Sequence, residues 1–349
     1  MQVVVHEYKN ASRIFGMIEN LYTSLTYSET ERDETVLWLD TSFEKLCNIL
    51  NENLFTFQMP KLKEFDFPRL GYNAGEPNEI IVCLSGGKDS AACAYYYKQK
   101  GYKVHLYHAT GINKAYGDEK KAAERIAKYL DCELFVDKLY IDGLKTFVEH
   151  PMKNYIIANG AIHYALGCGY RPVIAFGNFN KSSLETNAFD VCAGDCIEMW
   201  DAYKPIIQRV ISGFDIEIPF ETNADTFELL SEDWELFSLS VSCMSPYRFR
   251  EHWRHRTEQR YNVKMFDNRC GCCWKCCMEA MWLMDTDKMG YNAEYYQHCY
   301  EILERTIFKE MNVPADNVQD VWNNYMFYPI EKSKAYDYLM NKKIKGWFH

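Results

Sequence analysis

Between residues 79 and 177 the chain alternates short apolar runs with helical stretches of ten or more residues, and few folds accept that rhythm. IIVCL (80–84) is a continuous apolar run, as in a strand buried on both faces. A helical segment over 90–99 follows, then the strand KVHLYHA (103–109), the helix DEKKAAERIAKYL (118–130) and the strand CELFV (132–136). A further helix over 153–167 leads to the strand RPVIAFG (171–177). Strands separated in this way form right-handed βαβ units around a parallel sheet. The expected fold is therefore α/β, with a doubly wound parallel sheet over 75–215. An accessory region (1–74), with helix-like segments near 10–22 and 41–52, precedes it. A helical region (216–349) follows, with tyrosine-rich helices over 294–311 and 331–344.

Composition narrows the class. No stretch reaches 18 consecutive apolar residues, which excludes a membrane-spanning helix, and MQVVVHEYKN does not read as a signal peptide. A cytoplasmic location is expected. A net charge of −10 argues against broad, sequence-independent nucleic-acid binding, so a small molecule is expected before a nucleic acid as main partner. Fourteen cysteines in a chain of 349 residues without an export signal suggest metal rather than disulfides. Five of the 14 lie between Cys270 and Cys277.

SGGKDS joins the first strand of the α/β region to its first helix. Ligands of open α/β sheets bind beyond the carboxyl ends of strands. Gly86 and Gly87 allow a tight turn that presents N–H groups to an anion, and the helix adds its positive end. Ser85 and Ser90 can donate to phosphate oxygens, Lys88 supplies charge, and Asp89 could hold a magnesium ion. The spacing fits neither Walker A nor GxGxxG.

The position and composition of SGGKDS resemble the pyrophosphate loop of the N-type ATP pyrophosphatases. Three more segments are similar to 7-cyano-7-deazaguanine synthases. PMKN (Pro151–Asn154) resembles their P-x-R-N helix start, GDCIEMW (Gly194–Trp200) their P-D-C-R-P-E-F segment, and CGCCWKC (Cys270–Cys276) their C-G-x-C-x-x-C. Ser242–Cys243 resembles the site of an upstream fourth cysteine. The resemblance covers roughly residues 79–280. It departs at Lys153, where the family has arginine, and at HATGIN, which ends the second strand.

The resemblance implies a fold of the adenine nucleotide alpha hydrolase-like type and an ATP- and Mg2+-dependent ligase. A substrate carboxylate would be adenylated with release of pyrophosphate, and ammonia would convert it to an amide and then a nitrile. Ser85, Lys88, Asp89 and Ser90 are the expected catalytic residues. The whole Ser85–Ser90 loop, His108, Lys153 and Asn154 are assigned to ATP, with Lys181 a further candidate to screen phosphate, and Asp195 and Cys196 to substrate. Zn2+ is assigned to Cys243, Cys270, Cys273 and Cys276, giving a small zinc-binding helical C-terminal region.

Other readings of the same residues stay open. C-x2-C-x2-C also opens iron–sulfur sites, and Cys272 or Cys277 could replace an assigned ligand. Cys192 and Cys196 could carry sulfur in a thiolase acting on tRNA or a nucleotide. A partner-dependent relative acting on protein or nucleic acid is a third reading, and the terminal regions leave room for a homodimer. YRFREHWRHRTEQR (247–260) holds five arginines with interleaved aromatics. It reads either as a clamp for phosphates, a carboxylate or a nucleic-acid segment, or as a solvated helix face.

Overall fold

The computed structural model describes residues 5–8, 77–110, 119–141, 153–177, 200–201, 204, 207–208, 213–221, 223–286, 289–303 and 305. Among them a single six-stranded sheet is formed by β1 (Val5–Tyr8), β2 (Glu79–Cys83), β3 (Lys103–Thr110), β4 (Glu133–Ile141), β5 (Val173–Ala175) and β6 (Asp215–Glu217). The order is β1-β4-β3-β2-β5-β6 and every neighbouring pair is parallel. From β2 the chain winds outward through β3 to β4, then returns to β5 on the other side. The expected doubly wound α/β fold is thus present, and its order reverses between β2 and β5.

All five residues of β2 are buried, as its unbroken apolar run requires of a central parallel strand. Helix α1 (Lys88–Gln99) starts two residues earlier than the sequence pattern indicates and buries Ala91, Ala92, Cys93 and Ala94, small side chains that allow close packing. Helix α2 (Glu119–Leu130) buries Ala122, Ala123, Ile126, Ala127 and Leu130, a stripe at helical spacing. Helix α3 (Lys153–Cys168) lies against β2, β3 and β5.

Three sheet features depart from the expectation. β4 runs past residue 136 to Ile141 because Lys138–Ile141 pairs with Val5–Tyr8, so β1 comes from a region read as accessory. β5 is shorter than 171–177, since Pro172 has no N–H to give the ladder and its carbonyl accepts from Asp215 instead. β6 is only three residues long and half-buried, leaving no apolar run to read.

Polar contacts hold the sheet ends. Buried Glu79 accepts from Lys103 Nζ at 2.9 Å, His105 Nε2 at 2.8 Å and the Arg171 N–H at 3.2 Å. The Tyr97 hydroxyl on α1 donates to Glu217 on β6 at 2.6 Å. The Tyr107 hydroxyl donates to buried Asp137 at 2.6 Å. A Cβ on Gly160 of α3 would overlap that same hydroxyl, so glycine lets α3 reach the sheet there.

Packing divides the chain into two units, one of residues 1–85, 89–114 and 127–221, the other of 86–88, 115–126 and 222–349. The second contains α4 (Asn223–Ser231), α5 (Trp234–Leu239), α6 (Tyr247–Tyr261), α7 (Trp274–Thr286) and α8 (Ala293–Leu303). Its core is aromatic: Phe227 stacks on Trp282 at 4.4 Å, and Phe237 packs on both Trp234 and Trp282. Asp233 caps α5 by accepting from the Leu236 N–H at 3.0 Å. The predicted helix over 294–311 is described as Ala293–Leu303, while the helices expected over 10–22, 41–52 and 331–344 lie outside the described residues. Among the described residues no helix is long and apolar enough to cross a membrane.

Candidate active-site loop and metal centre

The SGGKDS loop leaves the carboxyl end of β2, next to β5, where the strand order reverses. Gly86 has φ of 90°, a left-handed conformation that suits glycine. A Cβ there would also lie 2.6 Å from the Glu119 carbonyl oxygen, and the Gly86 carbonyl accepts from the Val241 N–H at 2.8 Å. Ser90 Oγ accepts from the Ser85 N–H at 3.1 Å and lies 3.0 Å from Ser85 Oγ. The loop is therefore closed by its two terminal serines, with Ser85 exposed and Ser90 buried.

Several predicted residues are placed more specifically than their types suggested. Lys88 is buried, with Nζ 4.7 Å from the centre of the Phe227 ring. Asp89 is half-buried at the start of α1. His108 is buried beneath the loop, where Nδ1 donates to the Leu84 carbonyl at 2.7 Å; the Leu84 N–H donates to Tyr107 O at 2.8 Å. His108 thus fixes the strand end from which the loop departs. Lys153 and Asn154 open α3, with Asn154 buried. Asp195 and Cys196, together with Lys181 and Cys192, lie outside the described residues.

Sequence reasoning missed Gly177. A Cβ on it would overlap the Asp89 carbonyl and sit 2.6 Å from the Ser90 nitrogen. The end of β5 therefore presses on the loop backbone where α1 begins. The local signal is only a glycine directly after an apolar strand; that it faces the loop follows from the sheet order.

In the second unit, the thiols of Cys243, Cys270, Cys273 and Cys276 all lie within 4.8 Å of one another. Cys270 and Cys276 sulfurs are 3.8 Å apart and Cys273 and Cys243 3.9 Å. Four sulfurs tetrahedrally placed at the usual zinc–sulfur distance are about 3.8 Å apart, so the set fits a tetrahedral ion. Gly271, with φ of 73°, makes the knuckle turn, and the N–H groups of Cys272 and Cys273 donate to Cys270 Sγ at 3.4 and 3.3 Å. Cys272 reaches only Cys270 in this set, at 3.7 Å, and Cys277 is buried beside Cys299. Hydrogen bonds from Cys243, then from Cys272, Cys273 and Cys276, lower the Cys270 thiol below its ordinary range.

The surroundings fix the ligands. Arg250 donates to the Cys243 and Ser245 carbonyls at 3.3 and 3.0 Å, Thr257 to Cys270 O at 3.1 Å, and the Tyr295 hydroxyl to Gly271 O at 3.0 Å. Close to them Arg269 and Glu279 form a buried pair at 2.6 Å. With four protein thiols and no open position, the arrangement suits a structural ion.

Residues 79–152 match the model of the family described as "Queuosine biosynthesis protein QueC". Over 109 residues the chain is 26% identical to the tRNA-specific 2-thiouridylase MnmA of Natranaerobius thermophilus, a match covering 30% of each protein. The U34-tRNA thiolase NcsA of Methanococcus maripaludis, solved with its [4Fe-4S] cluster, matches at 14% identity and a TM-score of 0.32, over 54% of this chain and 63% of that one. NMN synthetase of Francisella tularensis matches at 12% identity and 0.30, over 79% and 98%. The chain thus spans about a third of the thiouridylase and under two thirds of the thiolase. The matched segment, with the SGGKDS loop within it, is similar to QueC and to the pyrophosphate loop of the N-type ATP pyrophosphatase superfamily.

Proposed function

We propose that the chain is a cytoplasmic ATP-dependent ligase that adenylates a small-molecule carboxylate and converts it with ammonia to an amide and then a nitrile. The observation that carries this reading is the serine-closed SGGKDS loop at the strand-order reversal, in the segment that matches QueC. ATP is bound with its β- and γ-phosphates against the loop N–H groups and the start of α1. A carboxylate oxygen attacks the α-phosphorus, the bond to the bridging α–β oxygen breaks, and pyrophosphate leaves with the electron pair. The nitrogen of ammonia then attacks the acyl carbon, AMP departs, and the surplus proton passes to solvent.

The nitrile step repeats the activation. The amide oxygen attacks a second ATP, AMP leaves carrying that oxygen, and the nitrogen loses two protons. Ser85 donates to phosphate, and Asp89 would hold Mg2+, which when bound would neutralise charge on the leaving pyrophosphate. His108 fixes the loop from below. Buried Lys88 contributes positive charge from within the fold. Four cysteine sulfurs within 4.8 Å of one another support Zn2+ as a structural ion in the cysteine cluster.

The test is incubation with ATP, ammonium and 7-carboxy-7-deazaguanine. AMP and pyrophosphate are the expected products, and ADP with phosphate would refute the mechanism.

The match to a 2-thiouridylase favours a second reading, ATP-dependent thiolation. That chemistry needs a reactive thiol, and burial pushes Cys83 and Cys93 well above the ordinary thiol range. Cys192 and Cys196 are the thiols that the sequence singles out for that role, and loss of turnover on their replacement by serine would favour thiolation.

A further inference from the structure

Helix α6 carries two stripes with the same spacing and opposite fates. Arg250, Arg254, Thr257 and Tyr261 follow one another at four, three and four residues and form the inward face, with Arg250, Thr257 and Tyr261 buried. Phe249, Trp253, Arg256 and Arg260 repeat that spacing on an adjoining face, and all four are exposed. Phe249 is 45% and Trp253 40% exposed, beside Tyr247 at 53% and Met244 at 40%. Large side chains grouped in this way on a soluble surface mark a contact site.

The cations are arranged on the rings. Arg248 lies over Phe249 at 4.6 Å and Arg256 over Trp253 at 5.3 Å, while Lys121 approaches Tyr247 at 5.3 Å. The helix's two glutamates are engaged elsewhere, both facing His255 at 3.5 Å, and Glu258 also accepts from the Met265 N–H. Among the described residues, Arg248, Arg256 and Arg260 form no ion pair. Five arginines against two glutamates on one helix make a local positive field on a chain of net charge −10.

We propose that this face of α6 docks single-stranded nucleic acid. Unpaired bases stack on Trp253 and Phe249, and the phosphates between them meet Arg248, Arg256 and Arg260. An amphipathic helix lying on a membrane separates its apolar and basic faces. Here arginine and aromatic side chains share a stripe, matching a strand in which base and phosphate alternate. The acidic remainder of the chain limits binding to this patch. The proposal does not rest on the adenylation reading.

The test is fluorescence anisotropy of a labelled oligouridine with the full chain over a range of salt concentrations, with vesicles of anionic phospholipid in parallel. Trp253→Ala should weaken binding about tenfold or more with little change in salt slope, and Trp253→Phe should restore part of it. Arg256→Gln and Arg260→Gln should each reduce the slope by about 0.7. These side chains are exposed, so unchanged circular dichroism and metal content will show that the variants fold. Absence of oligouridine binding at low salt would overturn the proposal. So would affinity untouched by all four variants, or vesicle binding that Trp253→Ala abolishes while oligouridine binding persists.

Discussion

Ser90 Oγ accepts from the Ser85 N–H at 3.1 Å, so the two serines bracketing the loop are joined across it. Ser90→Ala removes that acceptor and should cost about 1 kcal/mol, since Ser85 retains access to water. Turnover should fall with stability. Ser85→Ala leaves the N–H···Oγ closure in place and should lower turnover about tenfold or more with an unchanged melting temperature. Thermal unfolding and AMP release, measured on both variants, separate the two roles.

Gly177 makes a second prediction, because the backbone it touches is that of Asp89 and Ser90. Gly177→Ala should push the loop off its position, raise KM for ATP, and destabilise the protein by about 1–3 kcal/mol. An alanine variant with unaltered KM would show that loop position tolerates the added methyl.

What was legible in the sequence follows from how local each signal is. IIVCL, SGGKDS and the α2 stripe are contiguous patterns, and the structure forms β2, the loop and α2 at those places. The knuckle cysteines were legible for the same reason, and the structure brings Cys243 to them. Gly160 and Gly177 were not, since their meaning lies in partners such as Tyr107 and Asp89 that only the folded sheet brings near. The resemblance assigned His108 to ATP, but its bond to Leu84 O depends on strand register and has no local signature. The pairing of Val5–Tyr8 with Lys138–Ile141 is likewise a long-range contact without a local signature.

Glu79 gives a pH prediction. Burial alone would push its carboxyl up, but hydrogen bonds from Lys103, His105 and the Arg171 N–H outweigh that and hold it below its ordinary value. Its contribution is therefore present above the unfolded-state pKa of about 4.3 and is lost as pH falls through the lower folded value. Glu79→Gln should cost about 1–3 kcal/mol at neutral pH and make stability fall less steeply below about pH 4.5. Urea unfolding of both proteins at several acidic pH values checks the sign.

The buried Arg269–Glu279 pair lies close to the cysteine knuckle, and the Arg269 guanidinium also rests 5.2 Å from the Phe237 ring. Glu279→Ala leaves the guanidinium buried without its carboxylate and should destabilise the protein by about 3–5 kcal/mol. Arg269→Met with Glu279→Leu should be much milder than the single change. Denaturant midpoints of the three proteins decide it.

Elemental analysis should find one zinc per chain, with Cys270→Ser losing it and unfolding the region around α6 and α7. A visible charge-transfer absorption with bound iron would identify a cluster instead.

In the proposed reaction a carboxylate oxygen attacks the α-phosphorus of ATP. Turnover with an 18O-labelled carboxylate and mass spectrometry of the nucleotide product tests it most directly. Attack by the carboxylate should yield AMP carrying 18O; AMP free of label, or ADP in its place, would contradict it.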